Sequence, residues 1–133
     1  MSWDVSIINY AQQYKSVEEI PNDEPLLPLG ARHRVHEAVL EFFPNTDWRD
    51  PAWGVFDSVY GSIEFSLGDD DPSTGLTLHV RASTELVPLI IQLCKKNNWA
   101  ALDWSSGKFL DHAENPAQGL ENWREYLDQI LGK

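Results

Sequence analysis

Residues 53–82 read WGVFDSVYGSIEFSLGDDDPSTGLTLHVRA, and this stretch decides the fold that we predict. Two runs within it, 62–67 and 76–81, alternate apolar and polar residues. Because successive side chains on a strand point to opposite faces, each run is typical of a strand with one buried and one solvated side. The run GDDDPSTG between them cannot continue a strand, since glycine, proline and aspartate favour turns. The stretch therefore predicts a β-hairpin.

Folding the two strands about this loop fixes which residues face each other. On the apolar side the register pairs large hydrophobic residues: Leu67 with Leu76, Phe65 with Leu78, and Ile63 with Val80. On the polar side it pairs residues that can hydrogen-bond across the strands: Glu64 with His79, and Ser62 with Arg81. Because both faces agree on one register, we expect that register to be strongly specified.

Further strands and helices surround the hairpin. Alternation predicts strands over 3–10 and 100–104, while apolar residues at 3–4 spacing predict helices over 30–43 and from Thr84 to Lys96. Asn115-Pro116 opens a third helix that continues to the C-terminal residues.

The connecting segments are rich in proline and carboxylates. Residues 15–29 are predicted as a loop, and the acidic segment 45–51, with Trp48 at its centre, as a series of turns. A further strand over 54–57 would change the sheet.

The order of these elements predicts the fold class. Strand, helix, strand, strand, helix, strand is the order of the ferredoxin-like βαββαβ unit, here followed by one C-terminal helix. We therefore predict an α+β fold in which the two helices of this unit cover one face of an antiparallel sheet. Residues 1–133 are expected to form a single domain, since this length suits one hydrophobic core.

The net charge of the chain indicates which kinds of partner it can bind. The chain has 42% hydrophobic residues and a formal net charge of −11. A charge of this sign disfavours nucleic acid and anionic membranes, and it favours a basic partner. Acidity that serves only to keep the protein in solution is the competing interpretation.

Cysteine usage and the first residues bear on the compartment. The single cysteine, Cys94, excludes an internal disulfide. The opening MSWDVSIINYAQQY lacks the basic and then apolar pattern of a signal peptide, and no apolar run approaches membrane-spanning length. We therefore expect a cytoplasmic protein.

Two groups of residues have the chemistry of metal ligands. His33, His36 and Glu37 share a helix, but the order HRVHE is not the HExxH arrangement, and neighbouring arginines disfavour a cation. The run Asp69-Asp70-Asp71 lacks the spaced ligands of a calcium loop. We interpret both groups as solvated surface and predict no metal and no cofactor.

No motif points to a reaction. Glu64 opposite His79 could form an acid–base pair, although cross-strand charge complementarity explains them equally well. Cys94 lies on the apolar side of its helix, which is typical of a buried structural thiol. Ser105-Ser106-Gly107 lacks the nucleophile elbow, and no phosphate-binding glycine loop occurs. We assign no catalytic residue.

Carboxylates gathered around an aromatic residue suit recognition of a basic protein, because the ring supplies buried area and the charges speed association. A solvated acidic surface beside a core tryptophan remains the alternative. The residues that we predict to contact a partner are Asp47, Trp48, Asp50, Glu64, Asp69, Asp70 and Asp71.

Several segments together resemble one class of protein. FPNTDW, PAWG, SIEFSLGDDDP, LTLHVR and ALDWSSGKFLD are similar to small acidic bacterial immunity-type proteins of polymorphic or contact-delivered toxin systems. The resemblance implies a stoichiometric inhibitor that covers the active site of a toxin, and it carries no catalytic signature. Two other hypotheses stay open: a small enzyme or ligand-binding domain with its site around Glu64, His79 and Arg81, and an acidic housekeeping domain.

Overall fold

The computed structural model describes residues 2–131 and combines helices with an antiparallel sheet. The strands are β1 (Trp3–Tyr10), β2 (Leu26–Leu27), β3 (Asp47–Asp50), β4 (Trp53–Ser58), β5 (Gly61–Ser66), β6 (Leu76–Ala82), β7 (Ala100–Asp103) and β8 (Lys108–Phe109). The helices are α1 (Arg32–Phe42), α2 (Val87–Asn97) and the C-terminal α3 (Gln118–Leu131). Short 3₁₀ turns occur at Val17–Glu19, Thr84–Leu86 and Leu110–His112.

The predicted hairpin and its register are confirmed. β5 and β6 pair antiparallel, with Phe65 opposite Leu78, Ile63 opposite Val80 and Glu64 opposite His79. The four apolar side chains of these pairs are fully buried. Leu67, predicted opposite Leu76, lies just beyond the end of β5 and is also buried.

The sheet is larger than the ferredoxin-like order that the sequence predicts. Within residues 2–131 it has eight strands in the order β3-β4-β5-β6-β1-β7-β8, with β2 pairing with the end of β1. The four predicted strands are neighbours at its centre, and β3 and β4 extend it beyond β5. The simple four-stranded order is therefore wrong, because β5 pairs on its outer edge as well.

The acidic segment predicted as turns forms β3. Asp47 pairs with Val55 and Asp50 with Trp53, so Pro51 and Ala52 form the turn between β3 and β4, while a separate turn at Pro44 and Asn45 precedes β3. Gly54 on β4 permits this packing, since a Cβ there would lie 2.8 Å from the Trp48 ring. A glycine at this position lets the indole approach the strand backbone closely.

Helices α1 and α2 lie together on one face of the sheet, as predicted, and α3 packs on the same side. Side chains from α1, α2 and α3 join one buried cluster with the inward residues of the strands. The helical members with no solvent exposure are Val39, Ile90, Leu93 and Leu120.

The opposite face of the central strands stays in contact with solvent. Its side chains alternate with the core residues and are partly or fully exposed. We call this surface the open face, and its residues are Asp4, Ser6, Trp53, Val55, Asp57, Ser62, Glu64, Ser66, Thr77, His79 and Arg81.

We expect Phe65→Ala to lower the free energy of unfolding by about 3–5 kcal/mol, because it removes a fully buried ring and leaves a cavity. Chemical denaturation followed by circular dichroism measures the change. Tyr126→Ala on the exposed side of α3 is the control and should change stability by less than about 0.5 kcal/mol. A loss below about 1 kcal/mol for Phe65→Ala would contradict this account of the core.

Candidate functional site

A row of polar side chains crosses the middle of the open face. Glu64 on β5, His79 on β6 and Asp4 on β1 lie side by side on three paired strands. The Nδ1–H of His79 donates to Asp4 Oδ1 at 2.9 Å, and the indole of Trp53 stacks on the imidazole with ring centroids 5.6 Å apart. The carboxylate fixes the orientation of the ring, so Nε2 is the nitrogen left for another partner.

The predicted Glu64–His79 acid–base pair is not formed. Glu64 accepts a hydrogen bond from the Arg81 guanidinium, on the next open-face position of β6. His79 has already turned to Asp4 on its other side. The reason is the pattern of cross-strand neighbours, since Asp4 lies opposite His79 on β1 and Arg81 lies diagonally from Glu64. The Asp4–His79 and Glu64–Arg81 pairs form instead of one catalytic pair.

Two predicted partner-binding carboxylates flank this row at the edge of the sheet. Asp47 pairs with the Arg49 guanidinium through Nε at 2.9 Å and Nη2 at 2.7 Å, and this arginine lowers the pKa of the carboxyl. Asp50 Oδ1 accepts the backbone N–H of Ala52 at 2.9 Å and closes the β3–β4 turn. Their strand partners Val55 and Trp53 place both on the side of the open face.

Trp48 lies on the other side of the sheet. Its ring stacks on His36 of α1 with centroids 4.1 Å apart, and it lies 6.2 Å from the Phe65 ring. His36 in turn donates from Nε2 to the Pro51 carbonyl at 2.8 Å. Strand alternation thus separates Trp48 from Asp47. Its structural role is to pack β3 against α1 rather than to form one surface patch with the neighbouring carboxylates.

The aspartate loop lies at one end of the sheet, beside Asp50. The Ala52 carbonyl accepts the N–H groups of Leu67 at 2.9 Å and Gly68 at 3.2 Å, which joins the β3–β4 turn to the start of the loop. We call this region the acidic end, and its residues are Asp50, Asp69, Asp70 and Asp71, all exposed.

Asp71 differs from its two neighbours because it stabilises a helix. Its Oδ1 accepts the N–H of Arg32, the first residue of α1, at 3.0 Å. The preceding Ala31 offers no side-chain cap, so Asp71 satisfies an otherwise unpaired N–H and places negative charge at the positive end of the helix dipole. Asp69 and Asp70 are the members that remain candidates for steering a partner.

An exposed tryptophan beside β1 on the open face was not predicted from the sequence. Trp104, just after β7, is 60% exposed and donates from Nε1 to Ser6 Oγ at 2.6 Å. Its backbone N–H donates to the Asp4 carbonyl at 3.2 Å. Alternation along ALDW, in which Ala101 and Asp103 are buried, was the signal that could have placed this ring outward.

A buried carboxylate was missed as well. Asp103 is 3% exposed, and its Oδ1 accepts hydrogen bonds from Trp3 Nε1 at 2.9 Å, Ser105 Oγ at 2.7 Å and the Ser105 N–H at 2.8 Å. A Cβ at Gly119 on α3 would lie 2.3 Å from its Oδ2. Asp103 therefore fixes the β7–β8 turn beneath α3. It also lines a cleft of about 670 Å³.

His33 and Glu37 are exposed on α1, whereas Cys94 is part of the core. Among residues 2–131, no group of three or more His, Cys, Asp or Glu side chains could hold a metal ion. Cys94 is 4% exposed, and burial raises the pKa of its thiol to about 12. In the same part of the chain, no helix is both long and apolar enough to cross a membrane.

Comparisons with family models, with curated proteins and with solved structures found no match to this chain. The function of the chain is therefore inferred from the geometry of the open face and the acidic end.

We expect the Cys94 thiol to react slowly with a disulfide reagent at pH 8, because a thiol with a pKa of about 12 stays protonated there and is shielded by the core. Absorbance of the released thiolate follows the reaction. The same protein in urea, where its one thiol is accessible, is the control. Complete reaction of the folded protein within the mixing time would contradict this placement.

Proposed function

We propose that the chain is an acidic binding protein of the immunity type, which neutralises a cognate toxin by occluding the toxin's basic active site. The observation that carries the proposal is the open face itself. It is a broad, rigid sheet surface that carries carboxylates and partly exposed tryptophans, with the acidic end beside it.

The charges of this surface favour a basic partner. Arg81 is the guanidinium group among the open-face residues and is engaged with Glu64, and Arg49 on the β3 edge is engaged with Asp47. Asp57, Asp69 and Asp70 are exposed and add negative charge without a cation beside them in any ion pair described. Such a surface attracts a positive cleft at long range and orients it before contact.

The sheet edges favour docking through the face. On the β3 edge, Asp47, Arg49 and Asp50 are followed by Pro51, and charged residues and proline discourage the addition of another strand. At the other edge, β8 has only two residues. A partner that pairs with the open face can reach carboxylates and tryptophans together.

The proposed mechanism is steric and stoichiometric. A toxin that cleaves or modifies nucleic acids or nucleotides binds phosphates with Lys and Arg side chains. Exposed carboxylates such as Asp57, Asp69 and Asp70 would occupy those cationic positions while the sheet excludes the substrate. Such neutralisation requires the protein to be present in the compartment where the toxin acts, which we propose is the cytoplasm.

We expect Asp50→Asn, Asp69→Asn and Asp70→Asn together to slow association with the toxin, because steering depends on unscreened charge. The partner tested is the inactivated C-terminal domain of the protein encoded directly upstream of this gene, which the proposed function requires to be a toxin. Stopped-flow binding is measured at about 0.01 M salt, with a screening length of about 30 Å, and at about 1 M, with about 3 Å. The variant should lose much of the salt dependence of the on-rate, and Asp71 is retained because it caps α1.

The control is a charge-matched triple variant on α3, Glu121→Gln, Glu125→Gln and Asp128→Asn, whose side chains are exposed on the helical side of the molecule. It removes the same net charge and should leave the on-rate closer to that of the wild type. Equal on-rates for both triple variants would exclude the acidic end from the interface. Failure of the wild type to inhibit the toxin at molar equivalence would contradict the proposed function.

The Asp4–His79 pair favours a second candidate function. A carboxylate that orients an imidazole, with Trp53 stacked against it, is an arrangement that can serve general acid–base chemistry or hold a small ligand. The open face would then be the site of a small enzyme or ligand-binding domain, with Glu64 and Arg81 beside it.

Substitution of this pair distinguishes the two candidates. We expect His79→Ala and Glu64→Gln to leave toxin neutralisation within about threefold of the wild type, because partly exposed ion pairs contribute little. Growth of cells that produce the toxin with each variant measures neutralisation, and circular dichroism checks folding. Loss of function in a folded His79→Ala protein would favour the enzyme or ligand-binding function.

A further inference from the structure

The turn between β4 and β5 presents two apolar residues to solvent. Val59 is 95% exposed and Tyr60 is 49% exposed, and together they form the tip of the hairpin. Turns at such positions normally carry Gly, Asn, Asp or Ser, whose side chains tolerate water and support the turn. Among the described residues, Val59 is the large hydrophobic residue with the greatest exposed fraction.

The backbone of this tip is held rigidly although its side chains are free. Ser58 Oγ accepts the N–H of Tyr60 at 3.1 Å and donates to the Gly61 carbonyl at 3.1 Å. The Tyr60 carbonyl accepts the N–H of Ser83 at 2.8 Å, which ties the tip to the end of β6. A fixed backbone lowers the entropy that a partner must overcome to immobilise the turn.

Gly61 makes this geometry specific to the sequence. Its φ of 119° lies in the region that favours glycine, and a Cβ there would lie 2.4 Å from the Arg81 carbonyl. The chain therefore approaches β6 closely directly after Tyr60, and this approach orients the two apolar side chains outward.

Charged side chains flank the tip. Asp57 is exposed on the open face two residues before Val59, and Glu85 is exposed two residues after Ser83. Arg124 lies on the Glu85 side, where it donates to the carbonyl of Ala82, the residue opposite Gly61, at 3.2 Å. The tip lies at the end of β4 opposite to the acidic end, since Trp53 and Asp50 begin that strand pair and Ser58 ends it. The two features thus bound the open face from both sides.

We propose that the Val59–Tyr60 tip inserts into an apolar pocket at the margin of the basic cleft of the toxin, where Asp57 and Glu85 meet its cations. This inference rests on the proposed function and names the part of the surface that holds the partner once it has docked. An exposed valine and tyrosine on a rigid turn match an apolar pocket, and the exposed Asp57 beside them, which is in no ion pair described, matches a cation at the rim of that pocket.

The test is the double variant Val59→Ser and Tyr60→Ser, measured against the inactivated toxin domain. We expect the dissociation constant to rise about tenfold or more through faster dissociation, while the on-rate changes by less than about twofold because no charge is altered. Ile130→Ser is the matched control, since Ile130 is 55% exposed on α3, on the helical side of the molecule, and it should change neither rate. Unchanged thermal unfolding of both variants shows that they fold.

A photo-crosslinking amino acid provides a second measurement. Placed at position 59 it should form a covalent adduct with the toxin, and placed at position 130 it should not. Wild-type dissociation rates for the double variant, together with no adduct from position 59, would overturn the tip inference and leave the proposed function standing. A wild-type protein that neither binds nor inhibits the toxin would instead overturn the proposed function.

Two other partners of the tip, a second copy of the chain and a membrane surface, are tested without the toxin. A concentration-dependent dimer in sedimentation that the double variant loses would assign the tip to a second copy of the chain. Binding to phosphatidylcholine vesicles that the variant loses would assign it to a membrane surface. Either result would overturn the inference.

Discussion

The pairing of β5 with β6 is the constraint on which the remaining structure depends. Because side chains alternate along a strand, a slip of one residue would carry Phe65 and Leu78 to the solvent face and bring Glu64 and His79 into the core. Burying those charges without their partners would cost far more than the domain can spare. The register of this one hairpin therefore decides which residues form the core and which remain for function.

Alternation extends this separation to the neighbouring strands. On β1, Trp3 joins the core while the adjacent Asp4 binds His79 on the open face. Asp103 shows how side chains are fixed on the buried side of the sheet, since it accepts a hydrogen bond from Trp3. The absence of a side chain at Gly119 lets α3 approach Asp103 closely. The helices can pack tightly on one side without restricting the chemistry of the other.

The sequence predicts the parts of the fold that follow from local patterns. The hairpin register follows from two alternating runs, but β3 does not, because DWRD is short, charged and bounded by turn residues. It forms a strand because the β5 edge is extended by β4, whose own edge is then open, and this is a non-local cause. Trp48 beside Asp47 suggested one patch for the same reason: proximity in sequence hid the opposite directions of neighbouring side chains. The contact of Asp103 with Trp3 joins residues 100 positions apart, which no local pattern indicates.

The charges of the open face divide into two kinds with different consequences for binding. Asp4 and Glu64 are already held by His79 and Arg81, so a partner that covers them must desolvate these pairs and gains specificity rather than attraction. Asp57, Asp69 and Asp70 are exposed and in no ion pair described, so they attract a basic partner from a longer distance. Mutual repulsion among these exposed carboxylates opposes compact folding, and the buried pairs of the β5–β6 hairpin offset it. The apolar face of one hairpin thus permits an acidic surface that a smaller core could not stabilise.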